Sequence, residues 1–579
     1  MEPTGNVPFA PASLAAAAGL PRDSVLPQDL SDSLGDRALL RMILDRRPPL
    51  VAFTLYSWNS QRSASLAREI RQAAPKTILV GGGPEVYSDN CWLVSEGAFD
   101  LLVSGEGESL AETALDPKSA ASLAGNGRLV VAETSKSPPG SWPNPYLSGY
   151  IEAGAGDSIY LETVRGCSSG CVFCSYRRSH PLPRVEPAES VLHTLGRLPS
   201  GEVTFLDPTF NSRPDLPRLL SGLKESGRRL FGEVRGEPID KSTALAMADA
   251  GFASVEVGLQ STSPQVCRRC GRGGDPAAAM RGARLLLEAG VVPVMDLIMG
   301  LPGDEPSLAI RSAAELCDRG LSSEVQVFPL AVLPGTEVRR CADRLGIRHM
   351  EQPPYLVLST PGYPSPRELA ETREQVADLL GYDLQVDTRP VLTEEWVGSE
   401  SFSADEPPPA APPPSRRHGR LVIRGRNLWA CRDNVLAHVR RRIRWDPWCV
   451  LDVVLAPDRP FPLDLLDLLR DTEEIYDYTN AMARYLGTRG RLRLSVLAEG
   501  RSGRSLDWLA EAAQQVPAVA DLESPENLPG GLWKAGVGVR LPGRWEAQEL
   551  SRRVLFPGQV YFRRIDMETV WSQRVLGLL

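Results

Sequence analysis

Short apolar runs alternate through residues 1–345 with longer stretches whose apolar positions recur every three or four residues, and the runs end at Gly or Pro. That alternation predicts parallel strands joined by helical crossovers, an α/β architecture. The first set of strands covers 50–57, 77–83, 99–105 and 128–133. The stretch SASLAREIRQAAP between the first two carries Leu66 and Ile70 one helical turn apart. Together they predict a doubly wound domain over 1–145. Its strands end in YSWN, GGGPE and SGEGE, and ligands of such sheets bind beyond the carboxyl ends of the strands. A second set over 150–345 reads IYLETVRG, GEVTFLDPTFN, RLFGEVRGEP, FASVEVGLQS, VVPVMDLIMGLPG and SEVQVFPLAVLPG. These βα units predict a curved, partial (β/α)6 barrel, since a complete one takes about eight. A helical extension is expected over 346–400. The proline-rich stretch SFSADEPPPAAPPPSRRHG at 401–419 reads as a linker, because proline removes backbone donors and favours extended chain. Residues 420–579 form a mixed α/β region whose fold the pattern does not assign.

Composition narrows the partners. In 579 residues, 64 basic and 72 acidic side chains leave a net charge of −8, so no overall basic field draws the chain to nucleic acid or to an anionic membrane. The arginines of NVLAHVRRRIRW (Arg440, Arg441, Arg442 and Arg444) read as a solvated helix face. No apolar run approaches the ~18 residues of a membrane span. The opening MEPTGNVPFAPASLAAAAGL lacks the basic start and long apolar stretch of a secretory signal, so a cytoplasmic location is expected. Ten cysteines are too sparse for a disulfide scaffold, and their positions carry more information than their number.

Three of them form the run Arg165-Gly-Cys167-Ser-Ser-Gly-Cys171-Val-Phe-Cys174 directly after the first barrel strand. Three thiolates so close together, with Gly166 and Gly170 relaxing the backbone, can wrap one polynuclear cluster. A [4Fe-4S] cluster usually takes four protein thiolates, so three leave one iron open to an exchangeable ligand. The alternatives are a zinc site completed by His180, or three unrelated cysteines. Cys267 and Cys270 form a further CxxC, read as ordinary helix cysteines.

A CxxxCxxC loop with an aromatic residue before its third cysteine, placed after the first strand of a six-unit barrel, resembles the radical S-adenosylmethionine superfamily. The resemblance implies that Cys167, Cys171 and Cys174 hold a [4Fe-4S] cluster whose open iron binds S-adenosylmethionine. One-electron reduction then gives a 5′-deoxyadenosyl radical. It further implies that Phe173 shields the cluster or flanks the adenine. The end of strand two, Asp207 to Asn211, would lie near the methionine amino group, although the family's frequent Gly-Gly-Glu is missing. Glu256, Gln260 and Ser261 match the strand-four segment, with Arg272 pairing the carboxylate. Gly300 would let the backbone approach adenine, and Leu333-Pro-Gly-Thr336 matches the end of strand six.

The preceding domain is similar to the Rossmann-like, cobalamin (B12)-binding class of the same superfamily. The segments that carry this are Trp58-Asn59, Gly81-Gly82-Gly83-Pro84-Glu85 and Gly105-Glu106. The glycines permit close approach to a bulky corrin or its nucleotide tail. One departure is informative. The first histidine of the chain is His180, so no imidazole from this domain can sit under cobalt, and the resemblance then implies base-off cobalamin without a histidine ligand, with the loop 57–62 facing its lower side. No strand is evident before residue 20. A methylthiotransferase would need three further cysteines in this domain, and only Cys91 precedes Cys167.

The leading expectation is therefore a cobalamin-dependent radical enzyme that C-methylates an unactivated carbon of a peptide or secondary metabolite, fed by a flavodoxin- or ferredoxin-type one-electron donor. A radical S-adenosylmethionine enzyme without cobalamin, catalysing dehydrogenation, cyclisation or crosslinking, is the second. A non-catalytic, metal-stabilised binding scaffold is the third.

Overall fold

The computed structural model describes residues 8–26, 33–125, 129–132, 142–154, 156–176, 183–199, 201–381, 389–394, 396, 398–487, 490–499, 503–527, 530–542, 550–551, 554 and 556–576. Three sheet systems follow one another along the chain, each all-parallel within its main sheet.

The first is built from Leu50–Thr54, Ile78–Gly82, Leu101–Ser104 and Leu129–Val131, hydrogen-bonded in that order. The helix Ser60–Ala73 forms where the apolar spacing places it and buries Leu66, Ala67 and Ile70. They pack with Leu55, Leu79 and Leu93 on one side of the sheet, while Val80, Leu101, Val103 and Ala120 form a smaller cluster on the other. The parallel α/β fold with apolar clusters on both faces is as expected, and its four described strands run in chain order. No described strand precedes Leu50. That part of the chain supplies the helices Phe9–Ala17 and Asp36–Asp45.

The second system is an open barrel of six parallel strands in chain order: Ile159–Leu161, Glu202–Phe205, a third strand interrupted at Gly232 (Arg229–Phe231 and Glu233–Val234), Ser254–Gln260, Val292–Met299 and Val325–Pro329. Along strand four, Val255, Val257 and Leu259 are buried against the helices that surround the sheet. The alternation of a strand therefore turns Glu256, Gly258 and Gln260 to the concave side. The same parity turns Glu233 and Asp296 inward, because Val234, Met295 and Leu297 belong to the outer core.

The extension after the barrel is not purely helical. It holds the hairpin Arg348–His349 with Val357–Ser359 before the helix Pro366–Leu380.

The third system is a seven-stranded parallel sheet in chain order that begins at Ser399–Ser403. The proline-rich stretch is thus a crossover and not a linker. Its first residues pair with the strand His418–Gly425, and its prolines fall between the two, where no ladder donors are needed. The end of that crossover docks on the first domain. Ser415 Oγ donates to Asp446 at 2.7 Å and accepts from the Ala38 backbone N–H at 2.9 Å. The arginine run is not a free basic surface either. Arg442 is buried and paired with Asp446 at 2.8 Å, and Arg441 lies 3.7 Å from Glu400. No helix among the described residues is long and apolar enough to cross a membrane.

Candidate active site

The cysteine loop leaves the first barrel strand through Gly166, which adopts φ +85. Two further stretches of chain hold it. Val172 N–H donates to Cys270 O at 2.8 Å, and the Val338 N–H, just after strand six, donates to Val172 O at 2.9 Å. Gly271 lies so close that a Cβ there would sit 2.4 Å from Gly170 O, at a φ of +65 that also favours glycine. Cys167 Sγ accepts from the Ser169 N–H at 3.4 Å, and Cys174 N–H bonds Cys171 O at 3.3 Å. Burial pushes the Cys171 thiol up, and the Arg272 and Arg235 guanidiniums beside it pull it back down. Cations at a thiol favour the thiolate that a metal needs. Both arginines are held by Glu237, at 3.3 Å from Arg272 and 2.6 Å from Arg235, and Arg235 also donates to Ser169 Oγ in the loop.

A zinc tetrahedron would bring its donors onto one ion. Among the described residues no three of His, Cys, Asp and Glu converge in that way, and His180 lies outside the described residues. An iron–sulfur cube spreads its thiolates over separate irons, so the donor chemistry of the loop fits a cluster.

Two residues expected at the methionine end are occupied elsewhere. Asp207 is fully buried and accepts from Thr163 N–H and Thr163 Oγ1 at 2.5 Å each and from Val164 N–H at 2.8 Å. Burial raises its carboxyl to about 6. It staples strand two to the start of the cysteine loop, and no oxygen is left over for an amino group. Asn211 exchanges both halves of its amide with the Arg235 backbone, at 2.8 and 3.0 Å. Replacing Asp207 by Ala strands those buried donors. The expected result is a loss of about 2–4 kcal/mol in denaturant stability, together with poorer iron retention, and Asp207→Asn should lose less because its carbonyl still accepts.

The remaining expected residues gather at the mouth of the barrel. Gln260 ends strand four at φ +70. Ser261 is buried next to it. Arg272 reaches back to the Gly258 and Leu259 carbonyls. Gly300, at φ +82, donates to Asp304 at 2.9 Å. Phe173 packs on the apolar group around Val266 and Leu301, anchoring the loop from below.

Of the lumen carboxyls, sequence reasoning named Glu256 but missed Asp296 and Glu233. Asp296 is 6% exposed, and its Oδ1 has no hydrogen-bond partner among the described residues. Burial and then neighbouring Glu256, with which it shares a proton-mediated contact, push its carboxyl far up. Glu233 is raised to about 7 by burial, Glu256 and Asp207. An orphaned buried oxygen facing a lumen that also holds Gln260 and Arg272 is what a polar ligand with hydroxyl donors would complete, so the residues fit S-adenosylmethionine.

In the first domain, Gly83 has φ +129 and a Cβ there would fall 2.6 Å from Leu55 O; Gly81 packs against Leu55 and Leu102; Gly82 and Gly105 (φ +93) complete the strand-end turns. Trp58 is 59% exposed and stacks on Tyr56 with ring centroids 4.6 Å apart. Asn59 braces this loop, accepting from Tyr56 N–H at 2.8 Å and donating to Thr54 O at 3.0 Å. An open aromatic face above glycine turns fits a corrin. The two acidic residues expected here serve the domain boundary instead. Glu85 is buried and accepts from the Tyr355 hydroxyl, and Glu106 pairs with Arg184. Gln61, at the start of the helix that follows, bonds Gln352 of the extension and the backbone of 476 and 478, so the first domain, the extension and the third sheet system meet there.

Comparison with known proteins gives two family matches. Residues 161–309 match the radical SAM superfamily, and residues 13–115 match the B12 binding domain. An uncharacterised methyltransferase of Pyrococcus horikoshii, PH0819, is 23% identical over 364 residues, 58% of this chain and 78% of that protein. The cobalamin-dependent radical SAM methyltransferase TokK of Streptomyces tokunonensis is 23% identical over 393 residues, 61% of this chain; the chain spans 56% of its length. Among solved structures, the radical S-adenosylmethionine methyltransferase TsrM of Kitasatospora setae, with cobalamin and a [4Fe-4S] cluster bound, aligns with a TM-score of 0.46 at 16% identity, over 66% of this chain and 87% of that one.

Proposed function

We propose that this chain, a member of the radical S-adenosylmethionine superfamily whose barrel is preceded by a B12-binding domain, is a cobalamin-dependent enzyme that methylates an unactivated carbon of a peptide or small secondary metabolite. The observation that carries the reading is the apposition of two sites. Arg165, two residues before Cys167, pairs with Glu108 in the loop after the first domain's third strand at 2.7 Å, and both matched families are represented in one chain.

In this reading Cys167, Cys171 and Cys174 hold the cluster. Gln260, Ser261, Arg272 and Gly300, with Glu256 and the orphaned Asp296, receive S-adenosylmethionine. Trp58, Asn59 and the turns at Gly81, Gly82, Gly83 and Gly105 receive cobalamin. When bound, these groups supply a 5′-deoxyadenosyl radical and a transferable methyl group. The chain's own work is to orient and to exclude water. Arg272 and Arg235 place positive charge beside Cys171, Asp207 fixes the start of the loop, and the buried lumen shields the reacting volume. With no histidine ahead of His180, the loop that carries Trp58 and Asn59 would hold cobalamin without an imidazole from this domain. A flavodoxin- or ferredoxin-type protein is the electron donor this reading calls for.

The test is anaerobic reconstitution with iron, sulfide and hydroxocobalamin, followed by desalting. The expected protein retains about four irons and about one corrin per chain. Iron without corrin would move the chain to the second reading, a radical enzyme catalysing dehydrogenation, cyclisation or crosslinking.

A further inference from the structure

The two cofactor sites proposed above belong to different sheet systems, and one side chain bridges them. Arg165 stands two residues before Cys167 and is nearly buried. Its Nη2 donates to Glu108 of the first domain at 2.7 Å, its Nε donates to Glu162 of the barrel at 2.9 Å, and its Nη1 lies 3.9 Å from Glu106. Across a two-residue hairpin its direct partner is Arg184, which pairs with the same Glu106. Two like charges opposite each other repel. Here they lie on Trp142, whose ring centroid is 4.6 Å from the Arg165 guanidinium and 5.6 Å from that of Arg184. The Trp142 indole N–H has no partner among the described residues, and its ring face meets the two guanidiniums.

Neither side is balanced without the other. The barrel hairpin brings two guanidiniums and one carboxylate, and the loop after Leu101–Ser104 brings two carboxylates. The hairpin is rigid on its far side, where Asp207 holds Thr163 and Val164 and Arg213 Nη1 donates to Thr163 Oγ1 at 3.0 Å. The joint continues to the aromatic loop of the first domain, because Glu162 and Glu108 both act, after burial, to raise the Tyr56 hydroxyl on which Trp58 stacks.

We infer that Arg165 is a positioning residue: its fork across Glu108 and Glu162 sets where the cysteine loop stands relative to the B12-binding domain, and so fixes the spacing of cluster and cobalamin. This rests on the function proposed above. An arginine can span two carboxylates in a fixed plane, whereas a lysine offers one point charge.

The experiment uses full-length Arg165→Gln and Arg165→Lys, reconstituted with cluster and cobalamin, and reads two quantities. The first is amide hydrogen exchange. Segments 104–110 and 163–168 are expected to lose protection together, by about tenfold, in both variants. The second is the magnetic interaction between cob(II)alamin and the reduced cluster in the electron paramagnetic resonance spectrum, expected to change in both variants at unaltered cofactor content. Wild-type protection of both segments in Arg165→Gln overturns the proposal. Full restoration by Arg165→Lys overturns the fork. Altered exchange with an unchanged interspin signal overturns the spacing claim. If Arg165→Gln does not fold, Glu108→Gln removes the same contact from the opposite domain and is read in the same way. Wild-type protein that binds no corrin defeats the functional reading, while the exchange measurement still decides whether Arg165 joins the two domains.

Discussion

Cys171→Ala protein, reconstituted anaerobically with iron and sulfide, is expected to carry no stable [4Fe-4S] cluster and to release 5′-deoxyadenosine from S-adenosylmethionine at least about a thousandfold more slowly than the wild type, about 4 kcal/mol of barrier. Burial pushes the Cys171 thiol up, and the Arg272 and Arg235 guanidiniums beside it act against that rise. Positive charge beside the sulfur is what a metal-bound thiolate would use. The matched controls are Cys267→Ala and Cys270→Ala. Both thiols are buried on or beside the helix Pro264–Arg269, and burial pushes both up, Cys270 to about 12. A thiol held neutral by an apolar setting is inert, so these variants should keep their iron and their turnover. Quantified iron and product decide the matter. A Cys171→Ala protein with four irons and wild-type release of 5′-deoxyadenosine would remove the loop from the chemistry altogether, and iron loss in Cys267→Ala would instead enlarge the ligand set.

The contrast between the two cysteine groups also marks what the sequence reveals. Spacing fixed the loop, the barrel strands and the glycine turns, because each depends on near neighbours: Gly83 follows its own strand, and the loop follows Leu161. Partners drawn from far along the chain were invisible. Glu85 lies in a motif that suits a cofactor, yet its acceptor is taken by Tyr355, and Glu106 is taken by Arg184. Asp207 sits at a strand end where a ligand contact is expected, yet one of its oxygens accepts from the backbone of 163 and 164 and the other from the Thr163 hydroxyl. The third sheet was hidden for another reason. Its strands alternate Leu421 and Ile423 with Arg420 and Val422, a pattern that reads as half-exposed strand, while the segment at 389–394 contributes Val391 and Leu392 carbonyls to Arg420 and Arg540. Proline composition cannot separate a linker from a crossover, since both leave backbone donors unpaired.

Asp296→Asn should make the cofactor-free protein more stable at pH 8 and leave it little changed near pH 4. In the fold, burial and the adjacent Glu256 hold the Asp296 proton to a far higher pH than the ordinary 3.8 of a free carboxyl. Above pH ~4 the unfolded chain has released that proton and the folded chain has not, so stability falls as pH rises through this window. Each unit of separation is about 1.4 kcal/mol. Relaxation and the shared contact with Glu256 reduce the total, so about 2–4 kcal/mol is expected between the two proteins at pH 8. An amide has the same shape, cannot ionise, and still offers Glu256 a hydrogen-bonding group. The variant should bind S-adenosylmethionine at least about tenfold more weakly, because the unpartnered Oδ1 is then replaced by a group that need not accept. Thermal or urea unfolding at pH 4 and pH 8, with equilibrium binding of S-adenosylmethionine to cluster-loaded protein, reads both effects. Equal stability of the two proteins at pH 8 would mean that Asp296 is already ionised and paired. Greater stability with undiminished binding would make it a buried acid with no ligand to meet. Stabilisation combined with weakened binding is the signature of a carboxyl kept in an unfavourable place for the sake of what it holds.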